Sequence, residues 1–396
     1  MTRDVRGSPP SPVTRHPSLP LSLFAVSPPG FEDLVEAELA ALGLRGERGD
    51  GGVAFSGTWR DAWRANLWSR VASRVLVRVG AFEARGFREL ERALGNVPWG
   101  EWLPPGCAVD VRAASHRSRL WHTGKVAEVV MAALGASVGA RPEKGESALR
   151  LMVRAVDRAV TVSLDTSGEH LHRRGYRPRG GRAPIRENLA AGLLVRAGWS
   201  GGEPFLDPLC GSGTLAVEAA LLGLGAAPGL RRGFAFESFP SFDPSAWDGV
   251  RDEAREVARE RPPAPVFASD RDAGQVQLLA AAARAAGVAD HLQVAVADVG
   301  ELAPPDTGRF PGGLVAANPP YGHRLGGREA ACAALGRALR GPFRAWRWAL
   351  VLSSPGAERA LGLRPEAVYS FRSGGLPVRW GVGRGAGTGS REGPTA

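Results

Sequence analysis

The chain has 396 residues, a formal net charge of +10 at pH 7 and three cysteines. Cys107, Cys210 and Cys332 are too few and too scattered for a disulfide framework or a zinc cluster, so we expect a reducing, cytoplasmic setting and no metal. No apolar run approaches the ~18–20 residues of a membrane span, so no membrane segment is expected. The length predicts two or three domains, and the positive charge favours a polyanionic partner such as nucleic acid.

The first half of the chain has the pattern of an α/β protein. Residues 1–20 are rich in Pro, Ser and Arg, lack the apolar stretch of a signal peptide and are predicted to be disordered. Alternating and helical apolar spacing then predicts strands and helices in turn. Strands are predicted at 21–26, 52–55, 74–79, 108–113 and 149–156, and helices at 59–67, 87–94 and 123–134, with a further helix opening near Glu32.

A basic and aromatic segment joins the strand at 108–113 to the helix that follows. It gathers Arg117, Arg119 and Lys125 around Trp121. Arginine and lysine bind phosphates and an indole ring stacks on an unpaired base, so this segment is predicted to bind RNA. The alternative is an ordinary solvated helix entry in which Trp121 belongs to the core.

Residues 171–182 form a basic, Gly-rich linker between the two halves of the chain. Its Arg173 and Arg174 are predicted to bind RNA phosphates. A flexible, solvated hinge is equally compatible with this composition.

Two helices are predicted further along the chain. Pro184 suits the first turn of one, where Glu187 and Asn188 are predicted to cap the helix at the surface, with contact to the amino-acid end of a cofactor as the alternative. The pair Asp243-Pro244 signals the start of the other. The apolar positions predicted to face inward on that helix are Trp247, Val250, Ala254 and Val257.

A strand, a tight glycine turn and a helix follow one another at 205–220. The glycines allow the backbone to approach a ligand, and the acid at the strand end is placed to receive a positively charged amino group. A Walker phosphate loop is not favoured because no Gly-Lys-Ser/Thr follows; a dinucleotide site fits G-x-G-x-x-A but lacks the acid expected about 20 residues on. Cys210 is interpreted as a small loop residue. The residues predicted to bind a cofactor here are Asp207, Pro208, Cys210, Gly211, Ser212, Gly213 and Thr214.

Two later strands also lead to an acid at the carboxyl end. The strand predicted at 265–270 ends at Asp270, and that at 292–297 is followed by Asp298. The carboxyl ends of parallel strands meet at one sheet edge, so the glycine turn and the two acids predict one ligand crevice along an open parallel sheet. A further strand at 348–352 and a hairpin of 367–372 with 378–382 complete the predicted elements.

Asn318-Pro319-Pro320-Tyr321 follows the apolar run at 313–317. The lone pair of a base amino group is delocalised into its ring, so a catalyst must hold both N–H bonds and turn the nitrogen towards an electrophile. The amide oxygen of Asn318 and the carbonyl of Pro319 can accept those hydrogens, the prolines stiffen the loop, and Tyr321 can stack on the base. The pattern favours methyl transfer to an exocyclic amine, with a plain turn as the alternative.

The chain resembles the THUMP-domain class I S-adenosylmethionine-dependent RNA methyltransferases in its glycine turn, its two strand-end acids and this tetrapeptide. Further similarity to that family lies at 171–177, 183–191 and 227–237. The resemblance is to the bacterial type that makes N2-methylguanine in large-subunit rRNA. It implies S-adenosylmethionine as cofactor, with the methionine part at 207–213, the ribose at Asp270 and the adenine at Asp298. Asn318 would border both cofactor and target base. His323 departs from the family pattern, because many relatives carry an acid there.

The resemblance implies a ferredoxin-like plus THUMP α/β module, followed by a doubly wound Rossmann-like methyltransferase sheet with an antiparallel edge hairpin. The expected partner is RNA, rRNA in preference to tRNA, and the protein is expected to be a monomer. A tRNA guanine, another exocyclic amine and a non-catalytic RNA-binding assembly role stay open as alternatives. The predicted divisions are an extension at 1–20, a ferredoxin-like unit at 21–64, a THUMP domain at 65–166, a linker at 167–182, a methyltransferase domain at 183–383 and a disordered tail at 384–396.

Overall fold

The computed structural model describes residues 20–145, 147–177, 185–319, 325–373 and 376–385. The N-terminal part contains one mixed sheet of eight strands in the order β2-β3-β1-β4-β8-β7-β5-β6. These strands are β1 (Leu21–Val26), β2 (Gly46–Gly49), β3 (Gly52–Gly57), β4 (Arg74–Glu83), β5 (Ala108–His116), β6 (Arg141–Pro142), β7 (Leu149–Val156) and β8 (Ala159–Asp165).

Four helices pack in the N-terminal part, and all four were predicted. The second helix begins at a reciprocal capping box formed by Thr58 and Asp61. The Thr58 amide donates to Asp61 Oδ2 over 2.8 Å. The fourth ends at Gly139, whose φ of 66° lies in the left-handed region. The helices are α1 (Glu32–Ala41), α2 (Trp59–Trp68), α3 (Phe87–Gly95) and α4 (Thr123–Val138).

The strand β8, which was not predicted, joins the N-terminal elements into a single sheet. It pairs antiparallel with both β4 and β7. A tight turn at Asp157, with φ of 53°, separates it from β7, and no Gly-containing turn signal marks that position. The predicted division between residues 64 and 65 falls inside α2.

The C-terminal part contains a sheet of seven strands in the order β11-β10-β9-β12-β13-β15-β14. Strands β9 to β13 are parallel, whereas β15 lies antiparallel between β13 and β14. This arrangement confirms the predicted doubly wound sheet with an antiparallel edge hairpin. The strands are β9 (Phe205–Asp207), β10 (Val266–Asp270), β11 (Leu292–Val296), β12 (Leu314–Ala317), β13 (Arg347–Leu352), β14 (Ala367–Ser373) and β15 (Leu376–Arg384).

Helices cover both faces of this sheet, so β9 and β12 are buried along their whole length. The strand order reverses between β9 and β12, which opens a crevice at their carboxyl ends. Within the described ranges, every helix is too short or too polar to span a lipid bilayer. The helices are α5 (Glu187–Arg196), α6 (Thr214–Leu224), α7 (Pro244–Glu256), α8 (Ala273–Ala286), α9 (Leu325–Arg340) and α10 (Pro355–Leu361).

Two predicted helix details are corrected by the structure. Helix α5 begins at Glu187, and Pro184, which was predicted to lie in its first turn, is outside the described residues. Glu187 and Asn188 are buried rather than surface caps, and Asn188 Nδ2 donates to the carbonyl of Val71 over 3.0 Å. Helix α7 ends at Glu256, so Val257 is the 62% exposed residue after its last turn and does not face inward.

The described part of the linker, residues 171–177, is packed against residues 69–73 of the N-terminal part and against α6. Arg174 is 3% exposed, donates to the carbonyls of Leu171 (2.9 Å) and Arg70 (2.5 Å), and pairs with Glu218 of α6 over 3.4 Å. The Tyr176 hydroxyl donates to the same carboxylate over 2.9 Å. The prediction that Arg174 binds RNA is therefore wrong, because its guanidinium is enclosed by protein, and this part of the linker is not a flexible hinge.

An aromatic cluster joins the N-terminal module to the segment that precedes β10. Trp63 of α2 stacks on Phe236 with ring centroids 5.9 Å apart, and Trp247 of α7 meets Phe236 edge-on at 5.0 Å. Trp59 contacts Phe239 at 5.9 Å in the same manner. Buried aromatic pairs of this kind contribute buried apolar area and a preferred ring geometry. Through them, residues of both sheets belong to one hydrophobic core.

Candidate active site

A cavity of about 550 Å³ lies at the carboxyl ends of β9, β10 and β12. It occupies the crevice where the strand order reverses, as the sequence predicted. Pro208 and Gly213 of the predicted set are not among its lining residues. The predicted residues that line it are Asp207, Cys210, Gly211, Ser212, Thr214, Asp270, Asp298 and Asn318.

The glycines of the turn after β9 have different tasks. Gly211 has φ of 51°, and its amide donates to Asp270 Oδ2 over 2.9 Å, so this glycine brings bare backbone to the cavity wall. Gly213 has φ of 87°, and a Cβ there would overlap the side chain of Leu279 on α8. Gly213 thus allows close packing between α6 and α8 instead of lining the cavity.

Both acids that follow β10 and β11 hold the backbone near the cavity. Asp270 uses its two oxygens for different bonds, since Oδ1 accepts from the amide of Asp272 over 3.0 Å while Oδ2 accepts from Gly211. Asp298 Oδ1 accepts from the amide of Gly300 over 2.8 Å. Each carboxylate keeps further acceptor capacity for a ligand, because an ionised carboxylate offers about four lone-pair sites.

Asp207, the last residue of β9, is a buried acid. It is 2% exposed, and Oδ1 accepts from the amide of Leu209 over 3.2 Å. Burial, with a smaller contribution from the charge of Asp270, raises the pKa of Asp207 to about 8. No arginine or lysine among the described residues forms an ion pair with it. The cavity therefore presents an acid that a cationic group would stabilise in its ionised form.

Cys210 lines the same cavity without the environment of a nucleophile. Burial raises the pKa of its thiol well above the usual value, and the neighbouring charges of Asp207 and Asp270 raise it further. The thiol is therefore protonated at neutral pH, unlike reactive cysteines, which lie near positive charge.

Asn318, directly after β12, is 8% exposed and lines the cavity. Its side-chain nitrogen and oxygen are both buried without a hydrogen-bond partner in the part of the chain that the structure describes. Leaving such groups unpaired costs about 1–3 kcal/mol each. Pro319 is buried beside it, whereas Pro320, Tyr321 and His323 lie outside the described residues.

Several residues around the cavity were missed by sequence reasoning. Arg177 of the linker donates to the Thr214 hydroxyl and, over 3.3 Å, to the carbonyl of Ile185, and both of these acceptor residues line the cavity. A contact between residues so far apart leaves no local signal. The position of Arg271 and Asp272 directly after a strand-end acid was a signal that could have been used. Other lining residues missed are Gln275, Ala330, Ala331, Ala334 and Arg337.

The predicted RNA-binding segment lies between β5 and α4. Trp121 is 67% exposed and contacts the His122 ring in a tilted arrangement with ring centroids 3.3 Å apart, so the alternative that Trp121 belongs to the core is wrong. Arg117 and Arg119 are exposed, and Arg117 lies 3.5 Å from Asp157. Lys125 pairs with Glu128 over 3.0 Å. The side chains thus form an accessible, predominantly basic surface around an aromatic ring.

Arg173, the other linker arginine predicted to bind RNA, differs from its buried neighbour Arg174. Its side chain is 50% exposed and pairs with Glu169 over 3.2 Å. Its contact with RNA stays a prediction. In the ranges covered by the structure, no group of three His, Cys, Asp or Glu side chains is arranged to hold a metal ion.

Comparison with known proteins finds a family match in each half of the chain. Residues 22–76 match the family model of the RlmL ferredoxin-like domain, and residues 174–368 match that of the RMKL-like methyltransferase domain. A structure from Listeria monocytogenes, described as a predicted N6-adenine-specific DNA methylase, is 31% identical with a TM-score of 0.83, over 92% of this chain and 96% of that one. The chain belongs to the RMKL-like methyltransferase family.

Two further relatives of this RMKL-like methyltransferase bear on its site. The ribosomal RNA large subunit methyltransferase K/L of Syntrophotalea carbinolica is 37% identical over 379 residues, which are 91% of this chain. The chain spans about half (53%) of that relative's length. A structure described as a methyltransferase in complex with SAH has a TM-score of 0.82 and 29% identity, and the match covers 94% of this chain and all of that one.

Proposed function

We propose that this protein is an S-adenosylmethionine-dependent RNA methyltransferase that methylates the exocyclic N2 of a guanine in large-subunit (23S) rRNA. The observation that carries the proposal is Asn318, whose amide is buried in the cavity with neither polar atom paired among the described residues. Such an amide is costly without a ligand and suits a flat, polar one. The name of the relative from Syntrophotalea carbinolica supports rRNA as the substrate.

The cavity suits a cofactor that carries positive charge. S-adenosylmethionine has an ammonium and a sulfonium group, and Asp207 is the buried acid that would pair with the ammonium. Asp270 and Asp298 would accept hydrogen bonds from the ribose and the adenine. The first turn of α6 has no side-chain cap, so its free amides suit the cofactor carboxylate. When bound, the cofactor supplies an electrophilic methyl group.

The chain's own residues would then position the nucleophile. The Asn318 oxygen and the Pro319 carbonyl would accept hydrogen bonds from the two N–H groups of the guanine amine, and Tyr321 would stack on the extruded base. These contacts would turn the nitrogen towards the methyl group, so that the new N–C bond could form as the S–C bond breaks, with the neutral thioether leaving and the amine losing one proton to solvent. No covalent enzyme intermediate is required, in keeping with the protonated thiol of Cys210.

We further propose that a ferredoxin-like unit, with its end moved past the last residue of α2 at Trp68, is followed by a THUMP RNA-binding domain that extends to residue 166, and that residues 183–383 form the catalytic domain. The exposed Trp121 would stack on an unpaired base while Arg117, Arg119 and Lys125 bind phosphates. The contacts of residues 171–177 with α6 support a fixed spacing between that surface and the cavity.

A methyl-transfer assay tests the proposed function. The purified chain is incubated with tritiated S-adenosylmethionine and rRNA from cells that lack the protein, and the RNA is digested and analysed as nucleosides by mass spectrometry. We expect label in N2-methylguanosine from 23S rRNA, with Asn318→Ala as the inactive control. Label only in a tRNA guanine would show that the substrate is tRNA and not rRNA. Label only in adenine or cytosine would show a different target amine. Absence of transfer to any RNA would contradict the proposed enzyme activity.

The basic surface near Trp121 gives a second expected result. The triple variant Arg117→Ala, Arg119→Ala, Lys125→Ala should lower the slope of log affinity against log salt by about 2, since each phosphate contact with single-stranded RNA contributes about 0.7. The measurement is fluorescence anisotropy with an rRNA fragment across a potassium chloride series. The charge-matched control is Arg48→Ala, Arg284→Ala, Arg359→Ala, on β2, α8 and α10. Equal slopes in the two triples would show a solvated helix entry without RNA contacts.

A further inference from the structure

A second cavity, of about 500 Å³, lies at the other end of α6. The first turn of α6 lines the candidate active site, whereas Leu221 and Leu224 near its carboxyl end line this one. At 1.5 Å per residue, ten residues of helix separate the two by about 15 Å. The cavities share no lining residue, so the second one does not belong to the site for methyl transfer.

The lining of this second cavity is positively charged. Five of its residues are basic, and none is Asp or Glu. Arg174 is balanced by Glu218, and Arg255 lies 2.5 Å from Asp252. Arg231 and Arg259 form no ion pair with a carboxylate of the described chain. Two cations are therefore left uncompensated at one cavity, which favours an anionic ligand.

Backbone contacts hold these two arginines in place. Arg259 Nη1 donates to the carbonyl of Gly223 over 3.1 Å, near the end of α6. The Arg231 guanidinium lies against Gly287, where any Cβ would overlap it. The Arg259 guanidinium makes a single hydrogen bond within the described residues, which leaves most of its five donors available. The hydrogen bond to Gly223 thus orients the Arg259 guanidinium before a ligand arrives, which lowers the entropy cost of binding.

A third arginine borders the cavity from behind. Arg70 donates to the carbonyl of Ala226, a lining residue, over 2.6 Å. Its other terminal nitrogen, Nη1, is buried with no hydrogen-bond partner in the described part of the chain. The charge of this guanidinium is balanced by Glu218 and Glu38, so Arg70 supports the wall of the cavity and is not one of its free cations.

We propose that the second cavity is a phosphate-binding site in which Arg231 and Arg259 hold the phosphate oxygens. Arginine suits this ligand because its planar donors match phosphate geometry. The phosphate would come from the RNA backbone or from a free nucleotide or pyrophosphate. The RNA source rests on the proposed function, whereas the binding of free phosphate does not. The structural alternative is that the arginines only cap the carboxyl ends of α6 and α8.

The test uses the full chain with Arg231→Glu and Arg259→Glu combined. The control pair is Arg284→Glu and Arg359→Glu, which makes the same charge change at exposed arginines outside the cavity. One arm measures the rise in melting temperature with inorganic pyrophosphate, without RNA or cofactor. The other measures the salt slope of rRNA-fragment binding, where two lost contacts should lower the slope by about 1.4–1.8.

Loss of the pyrophosphate effect together with a lower RNA salt slope, in the cavity pair alone, would assign the site to the RNA backbone. A lower RNA salt slope in the cavity pair, with no pyrophosphate effect in the parent protein, would also assign the second cavity to the RNA backbone. Loss of the pyrophosphate effect with an unchanged slope would assign the site to a free phosphate ligand. If the cavity pair differs from the control pair only in its melting temperature, the arginines are helix caps and the proposal is overturned. Pyrophosphate binding needs no catalysis, so this arm stands even if methyl transfer fails.

Discussion

Replacing Asn318 by alanine is expected to slow single-turnover methyl transfer by about 10²–10³, the range seen when one positioned polar contact to a transition state is removed. Cofactor affinity should change little, because the acids and the glycine turn provide most of the cofactor contacts in the proposed site. The measurement is the rate of tritium transfer to unmodified rRNA at saturating cofactor. Asn318→Asp keeps an oxygen beside the amine and should retain part of the rate.

The same substitution should not lower stability. Both polar atoms of Asn318 are buried without partners in the described structure, so alanine removes two unpaired groups at the expense of a small side chain. We expect a melting temperature equal to or above that of the parent. Asn96→Ala, at the exposed end of α3, is the control and should keep full activity. If Asn318→Ala methylates as fast as the parent, the tetrapeptide after β12 is only a turn.

The second large effect concerns Asp207 and pH. The pKa of Asp207 is about 8 in the free protein, so the group is protonated at pH 7. Pairing with the cofactor ammonium favours the ionised form, so binding should release nearly one proton. Cofactor affinity should therefore rise by close to tenfold between about pH 6 and 7. The cofactor's own amino group titrates near 7.7–8.0 and does not interfere in this range.

Asp207→Asn keeps the size of the side chain and removes the charge. It should weaken cofactor binding by about 10- to 150-fold, the equivalent of a charged hydrogen bond of roughly 1.5–3 kcal/mol. It should also make affinity independent of pH between about 6 and 7. Calorimetry in buffers of different ionisation enthalpy measures both quantities, and Asp248→Asn on the surface of α7 is the control. Proton release that persists in Asp207→Asn would assign the titration to another group.

The stability of the free protein should follow the opposite trend. The folded pKa of Asp207 lies above its value of 3.8 in an unfolded chain, so between these values the folded state holds a proton that the unfolded state has lost. The contribution of this group to stability is therefore greatest below about pH 4 and is lost as the pH rises towards 8. Cofactor binding offsets the free energy of unfolding that is lost when Asp207 ionises in the folded protein. Cofactor occupancy and folding are therefore coupled above neutral pH.

The part of the site that could be predicted is the part written locally in the sequence. The strands that lead to Asp207, Asp270 and Asn318 could be located because a continuous apolar run stops where the polar residue begins. Their convergence follows from the rule that carboxyl ends of parallel strands share one edge. The strand β8 was missed for the opposite reason, since a two-residue turn without glycine gave no punctuation.

What could not be predicted depends on contacts between distant residues. The sequence around Arg174 is basic and rich in glycine, which is typical of solvated linkers. Burial of that arginine is tolerable because Glu218 on α6 balances its charge and backbone carbonyls accept its remaining hydrogen bonds. The unpaired amide of Asn318 is likewise visible only in three dimensions, because it depends on what surrounds the side chain.

The buried contacts of residues 174 and 176 mean that the boundary suggested by the sequence is not an energetic boundary. A chain cut at residue 183 would keep Glu218, which is fully buried, and would lose both the guanidinium and the hydroxyl that face it. It would also lose the tryptophans against which Phe236 and Phe239 pack. In evolutionary terms, the C-terminal half cannot be exchanged between N-terminal modules as a free cassette, because any replacement must supply the arginine, the hydroxyl and the tryptophans that this junction buries.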